Sequence, residues 1–321
     1  MKKRLLSAVI FVAVLAVAFV LKATVSNYFF DALILAIATV GAFEMSKMMS
    51  KMGKYNNKII ATLAPIFIML SLILCIIFES SISLIYTILI EIGVIVVLGA
   101  ATFLTSLFTR KRTKEEIGTR KLTLTVSKFS FLKAANTLAT FIYPSFMVMF
   151  LALINHFENM PSTFAQLAEF GGNISLFVLI LAFLIPIITD TFAYLVGGLI
   201  GGKKLAPKIS PNKTISGAVG GFVFCVLLTI VVFFIFNAIP AINAAFTATG
   251  ITIWKVAIIA LIGSILGQVG DLFESHLKRT AGIKDSGKFM PGHGGMLDRF
   301  DSHIFVAPFM FIAFCILFVV I

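Results

Sequence analysis

Four of the five carboxylates within 31 residues towards the end of this chain, Asp271, Glu274, Asp298 and Asp301, stand in helical pairs. They are interleaved with Lys278, Arg279, Lys284 and Arg299, and with the run Pro291-Gly-His293-Gly-Gly295. Carboxylate oxygens suit a hard cation, and Mg2+ takes one or two of them while leaving room for water and phosphate oxygens. Basic side chains beside such a cation neutralise phosphate charge, which is the main task in phosphoryl-transfer catalysis. Gly292, Gly294 and Gly295 permit backbone conformations closed to other residues, so main-chain amides here can face an anion. A solvated charged turn is the bland alternative, but such a turn has no need of a Pro-Gly-His-Gly-Gly run. His276 and His303 read as bystanders, and His156 belongs to the opposite face.

Spacing puts several of these groups on shared helix faces. Gly267, Gly270, Asp271, Glu274, Ser275 and Lys278 recur at helical intervals, a stripe leading out of an apolar span. Asp190, Ala193, Tyr194 and Gly197 repeat the pattern at the end of an earlier span. Next comes a basic, glycine-bearing loop, Gly201 to Thr214, in which Lys203, Lys208, Lys213 and Ser210 are candidates for phosphate binding. Gly197 to Lys203 matches GxxxxGK, but Lys204 stands where Ser or Thr is needed and no strand precedes it, so a P-loop is rejected. Gly217 to Gly221 and Gly263 to Gly267 are GxxxG faces, better explained by close helix packing than by a ligand. Asp31 and Glu44 lie near span ends and read as acids that face the bundle or snorkel, while Glu91 is evenly balanced between that and function.

Everything around these groups is apolar. The 321 residues are 60% hydrophobic and only 12% charged, with a mean hydropathy of +1.07, which excludes an ordinary soluble domain. Apolar runs of membrane-crossing length predict nine transmembrane helices, near 5–21, 29–49, 59–78, 84–108, 137–157, 174–197, 215–237, 253–272 and 303–321. Twenty-four of the 26 Lys and Arg then fall in alternate loops, with only Lys22 and Lys255 on the other side. The positive-inside tendency therefore places the N-terminus in the cytoplasm and the C-terminus opposite. The expected fold is an all-α polytopic membrane protein, with residues 1–136 as scaffold and 137–321 as the catalytic region. The net charge of +12 is explained by topology, attracts anionic lipids and phosphorylated solutes, and does not call for nucleic acid. Lys2-Lys3-Arg4 could open a secretory signal, but the apolar run continues and further spans follow, so a retained helix is expected. Cys75, Cys225 and Cys315 stand singly in apolar spans and offer neither a disulfide framework nor a metal site.

With these motifs the chain resembles the phosphatidate cytidylyltransferases, also called CDP-diacylglycerol synthases. The match runs Ser275-His-Leu-Lys278-Arg279, Lys284-Asp285-Ser-Gly, Pro291-Gly-His293-Gly-Gly295, Asp298-Arg299-Phe-Asp301. Asp190-x-x-Ala-Tyr-x-x-Gly197 and the segment Lys204 to Thr214 are similar to further elements of that family. Ile215-Ser216-Gly217 departs from the Trp-Glu-Gly of many members, so no carboxylate is available at position 216. The resemblance covers roughly residues 137 to 302, and implies transfer of a cytidylyl group from CTP to phosphatidate at the cytoplasmic face of the cell membrane. It also implies Mg2+, with a second cation as an option, bound first by Asp271 and Asp298, then Asp190, Asp301 and Glu274. Lys278, Arg279, Lys284, His293 and Arg299 become phosphate or nucleotide candidates, joined by Lys203, Ser210, Lys213 and Tyr194. The GxxxG faces and the resemblance together point to a homodimer. An ion-coupled secondary transporter is the rival from another class, since intramembrane acids are also its signature. A lipid alcohol phosphotransferase is set aside for want of an Asp-x-x-Asp-Gly pattern.

Overall fold

The computed structural model describes residues 2–78, 84–108, 126–160, 167, 169, 172–289 and 294–319. The chain runs α1 (Lys2–Thr24), α2 (Asn27–Lys51), α3 (Lys58–Ile77), α4 (Leu84–Phe108), α5 (Val126–Phe141), α6 (Met147–Asn155) and α7 (Asn173–Ile200). A small hairpin follows, β1 (Lys204–Ala206) and β2 (Ser210–Thr214), then α8 (Ile215–Asn237), α9 (Pro240–Ala248), α10 (Ile253–Thr280) and α11 (Leu297–Val319). Among the described residues eight helices are long and apolar enough to cross a membrane, and α1 adds a shorter apolar stretch, Val9–Thr24. This is a multi-pass, all-α membrane protein, and the hairpin forms its one sheet among the described residues.

Two boundaries differ from the sequence expectation. The fifth span starts well before residue 137, because α5 begins at Val126 and continues into α6. The last span starts at Leu297 rather than near residue 303, which puts Asp298 and Asp301 on the first two turns of α11 instead of in a loop. The physical reason is satisfaction of the free amides at a helix start. Glu44 accepts from Leu297 N–H at 2.9 Å and Asp298 from Gly295 N–H at 2.7 Å, and negative charge is favoured at that end of the dipole.

Lipid tails are as apolar as the side chains, so helix association depends on close packing rather than on escape from water. Small residues permit it between α7 and α8: a Cβ on Gly217 would sit 3.1 Å from Gly197 Cα, and one on Gly221 would sit 2.9 Å from Thr189 O. A Cβ on Gly270 would come within 2.6 Å of Asp301 O, so α10 and α11 also meet backbone to backbone. Both GxxxG faces are therefore used inside the chain, where the sequence had offered them to a homodimer. Phenylalanines fill the wider gaps, with Phe177, Phe233 and Phe246 joining α7, α8 and α9, each aromatic pair contributing about 0.5–1.5 kcal/mol beyond its area.

Between α5 and α6 the helix widens into a π-turn, Ile142–Phe146, with Tyr143 at non-helical angles (φ −93°, ψ 89°). Pro144 lacks the amide for a regular turn and crowds the preceding one, and Gly41 of α2 gives its ring room. At the other end of the bundle Asp31 pairs with His156 at 2.7 Å and accepts from Asn155 at 2.8 Å, tying α2 to the end of α6. Asp31 thus faces the bundle, as its position near a span end suggested.

Candidate active site

The first wall comes from α7 and the hairpin. Register pairs Lys204 with Thr214 and Ala206 with Ser210, Ile215 N–H donates to Lys203 O at 3.0 Å, and Thr214 Oγ1 caps α8 by accepting from Gly217 N–H at 3.1 Å. The hairpin is thus fastened to α8 and folded back over α7. Gly197 makes this possible, since a Cβ there would lie 2.7 Å from Thr214 Oγ1. Lys213 is held over the end of α7 and forms an ion pair with Asp271 of α10. Asp190, Tyr194, Gly197, Lys204, Lys213, Gln268 and Asp271 line one cavity of about 440 Å³, within the usual size of a small-molecule site.

A second wall stands on α10 and α11. Lys278 Nζ lies 2.7 Å from Asp298 Oδ1 and 2.5 Å from Glu274 Oε2. The Glu274 contact is one of opposite charges only, for neither buried Glu274 oxygen accepts an aligned hydrogen bond among the described residues. Ser302 donates its hydroxyl to Asp190 Oδ2 at 3.1 Å and its N–H to Asp301 Oδ1 at 2.7 Å. Asp301 interacts electrostatically with Asp271, Glu274 and Asp190, so carboxylates from three helices act on one another. Tyr143, turned out of register by the π-turn, feels the charge of Glu274, Asp301 and Asp271, and its buried hydroxyl has no hydrogen-bond partner among the described residues.

The glycine-rich segment folds around carboxylates of the protein itself. Asp298 Oδ2 accepts from Ser286 N–H (2.9 Å), Ser286 Oγ (2.9 Å) and Gly295 N–H (2.7 Å). Gly294, at φ +88°, adopts a conformation that L side chains rarely take. A Cβ on Gly287 or Gly295 would run into the carboxylate of Glu44. Of the amides expected to face a ligand anion, that of Gly295 faces Asp298 and Gly292 lies outside the described residues, while the neighbouring Leu297 amide faces Glu44.

Of the residues expected to form the site, Asp190, Tyr194, Lys213 and Asp271 share the cavity, and Glu274, Lys278, Asp298 and Asp301 stand together behind it. Tyr194 is 81% exposed at the cavity edge. Arg279 donates to Ile209 O and Ile283 O, both at 3.3 Å, and so ties the hairpin to the end of α10. Arg299 is exposed and acts electrostatically on Asp190. Lys203 and Lys284 are exposed, and it is Lys204, not Lys203, that lines the cavity. Ser210 is half-buried in β2, and His293 lies outside the described residues. Glu44, Tyr143, Ser286 and Ser302 were missed. Tyr-Pro inside an apolar span was a usable signal for Tyr143, whereas a lone acid such as Glu44 gives none. A larger cavity of about 610 Å³ at Lys54, Asn56, Lys58 and Lys133 has no carboxylate in its lining.

The donor chemistry fits a hard divalent cation. Asp190, Asp271 and Asp301 are mutually repelling oxygen donors, and Asp190 and Asp301 are in no ion pair among the described residues. As they stand, no three His, Cys, Asp or Glu side chains among the described residues close around one point, and Lys213 occupies Asp271.

The chain is 40% identical over 187 residues to a phosphatidate cytidylyltransferase of Staphylococcus saprophyticus, an alignment covering 58% of this chain and 61% of that protein. A protein of the same name from Staphylococcus aureus (strain COL) gives the same identity and coverage. One from Staphylococcus haemolyticus is 47% identical over 129 residues, 40% of this chain and 45% of the relative. The chain thus spans less than two thirds of the length of these relatives. A model of the cytidylyltransferase family matches residues 2–317, nearly the whole sequence, and the chain belongs to that family.

Proposed function

We propose that this protein transfers a cytidylyl group from CTP to phosphatidate, giving CDP-diacylglycerol and pyrophosphate. The observation that carries the reading is the meeting of Lys213 and Asp271 on one cavity, where a basic hairpin closes over a cluster of carboxylates. Such a surface suits a polyphosphate and a second phosphate that must approach each other despite their charges. The relatives named above carry the same activity in their names.

In the proposed reaction a phosphate oxygen of phosphatidate bonds to the α-phosphorus of CTP, and the bond from that phosphorus to the oxygen leading to the β-phosphate breaks. The attacking oxygen is already ionised, so no strong general base is required. Lys213 and Lys204 would neutralise the nucleotide phosphates, with Arg299 and Lys284 at the periphery. Lys278 holds Glu274 and Asp298 in place. Mg2+ would be held by Asp271, Asp190 and Asp301, since both Asp298 oxygens are engaged, Oδ1 by Lys278 and Oδ2 by Ser286 and Gly295, and there it would stabilise charge building on the phosphoryl oxygens. Leu199 and Ile200 are exposed beside the cavity-lining Gly197 and Gly198, a route by which acyl chains can stay in the bilayer.

We place the enzyme in the cell membrane with this cavity towards the cytoplasm, and a homodimer would use faces other than the two GxxxG pairs. The test is to give purified protein phosphatidate, Mg2+ and CTP labelled at either the α- or the γ-phosphate. Lipid-extractable label from the α-position alone is expected. Label from the γ-position would make it a lipid kinase, and ion-driven uptake into liposomes without nucleotide turnover would make it a transporter.

A further inference from the structure

We infer that Glu44, on the second helix and 231 residues before the signature match Ser275 to Asp301 begins, is a positioning residue that sets the catalytic turn around Asp298. Glu44 is only 4% exposed and lies about two turns from the end of the apolar helix α2, where a buried, unsatisfied acid is costly. Its hydrogen-bond partners among the described residues all belong to the signature segment. A single oxygen, Oε2, accepts from Leu297 N–H at 2.9 Å and from Ser286 Oγ at 3.2 Å. Ser286 Oγ also lies 2.9 Å from Asp298 Oδ2, and Ser286 N–H donates to the same Asp298 oxygen. A hydroxyl has one proton to give, so Ser286 is shared between the two acids, and moving either one shifts the other.

The glycines point the same way. Gly287 and Gly295 leave the space that the Glu44 carboxylate fills, and a Cβ at either position would collide with it. Two turns of chain separated by seven residues are thereby wrapped around one side chain that neither segment supplies. Glu44 also satisfies the first free amide of α11, the helix whose opening turns carry Asp298 and Asp301. Glu44 touches no part of the cavity at Asp190 and Lys213, so it acts through Ser286 and Asp298. The inference rests on reading Asp298 as part of the phosphate site.

The test compares Glu44→Ala, Glu44→Gln and Ser286→Ala with wild type in detergent micelles, using amide hydrogen exchange and steady-state kinetics with CTP and phosphatidate. Glu44→Ala is expected to speed exchange in residues 284–298 about tenfold or more while the ends of α7 and α8 stay protected. It should lower kcat about 10- to 100-fold, with both KM values changed far less. Glu44→Gln keeps one oxygen in the place that takes both hydrogen bonds, and should recover most of each loss. Ser286→Ala, which leaves the Leu297 bond intact, should fall between them and stands in if Glu44→Ala does not fold. Unchanged exchange in 284–298 in a folded Glu44→Ala or Ser286→Ala protein overturns the inference, as does a loss as large in Gln as in Ala. Wild type without liponucleotide product would sink the cytidylyl reading, while the exchange result still decides the role of Glu44.

Discussion

Lys213 and Lys203 are ten residues apart on the same basic hairpin, yet only Lys213 reaches a carboxylate of another helix. A lysine that merely decorates the surface contributes little to binding, whereas one inside the cavity would neutralise phosphate charge where water is partly excluded. Lys213→Ala is therefore expected to lower kcat/KM for CTP about tenfold or more, and Lys203→Ala to stay within about twofold. Measuring both in one assay separates local charge from the general basicity of the loop. At this scale the sequence was readable wherever a residue type was unusual for its surroundings. Asp190, Asp271 and Lys278 stood out because apolar spans rarely carry ions. What could not be read was direction: nothing in the spacing of Gly294 and Gly295 says that their neighbours' amides bind Asp298 and not a ligand.

Helices and turns decide which of these groups meet. The π-turn at Ile142–Phe146 rotates Tyr143 towards the acids of α10 and α11 and leaves its hydroxyl buried without a partner among the described residues. Removing an orphaned polar group costs nothing in its own hydrogen bonds and relieves desolvation. Tyr143→Phe should thus leave thermal stability unchanged or raise it by about 1 kcal/mol. Activity should fall about tenfold if that hydroxyl donates to a charged group in the substrate complex, as a bond of that kind is worth about 1.5–3 kcal/mol. Calorimetry and turnover on the same preparation check the two signs. Spans were legible because bilayer thickness fixes their length, but the π-turn and the early start of α11 depend on amides satisfied from distant segments, which periodicity does not record.

In the whole molecule, the ends of α2, α7 and α10 and the starts of α8 and α11 gather at one end of the bundle. The first half of the chain carried no motif, yet it supplies Glu44 to the signature segment and Tyr143 follows close behind it. Contacts over more than two hundred residues leave no trace in local spacing, which is why that half read as scaffold. The positive-inside pattern predicts that CTP reaches the cavity from the cytoplasm. In sealed membrane vesicles, inverted ones should make liponucleotide from added CTP, and right-side-out ones should do so only after permeabilisation.

The account depends most on Asp271, the carboxylate that joins the hairpin to the acid cluster. The direct test is turnover of α-labelled CTP and phosphatidate to liponucleotide by folded Asp271→Ala protein beside wild type. A fall of at least about 10²-fold is predicted for losing charge stabilisation in the transition state; full activity in the variant would contradict the account.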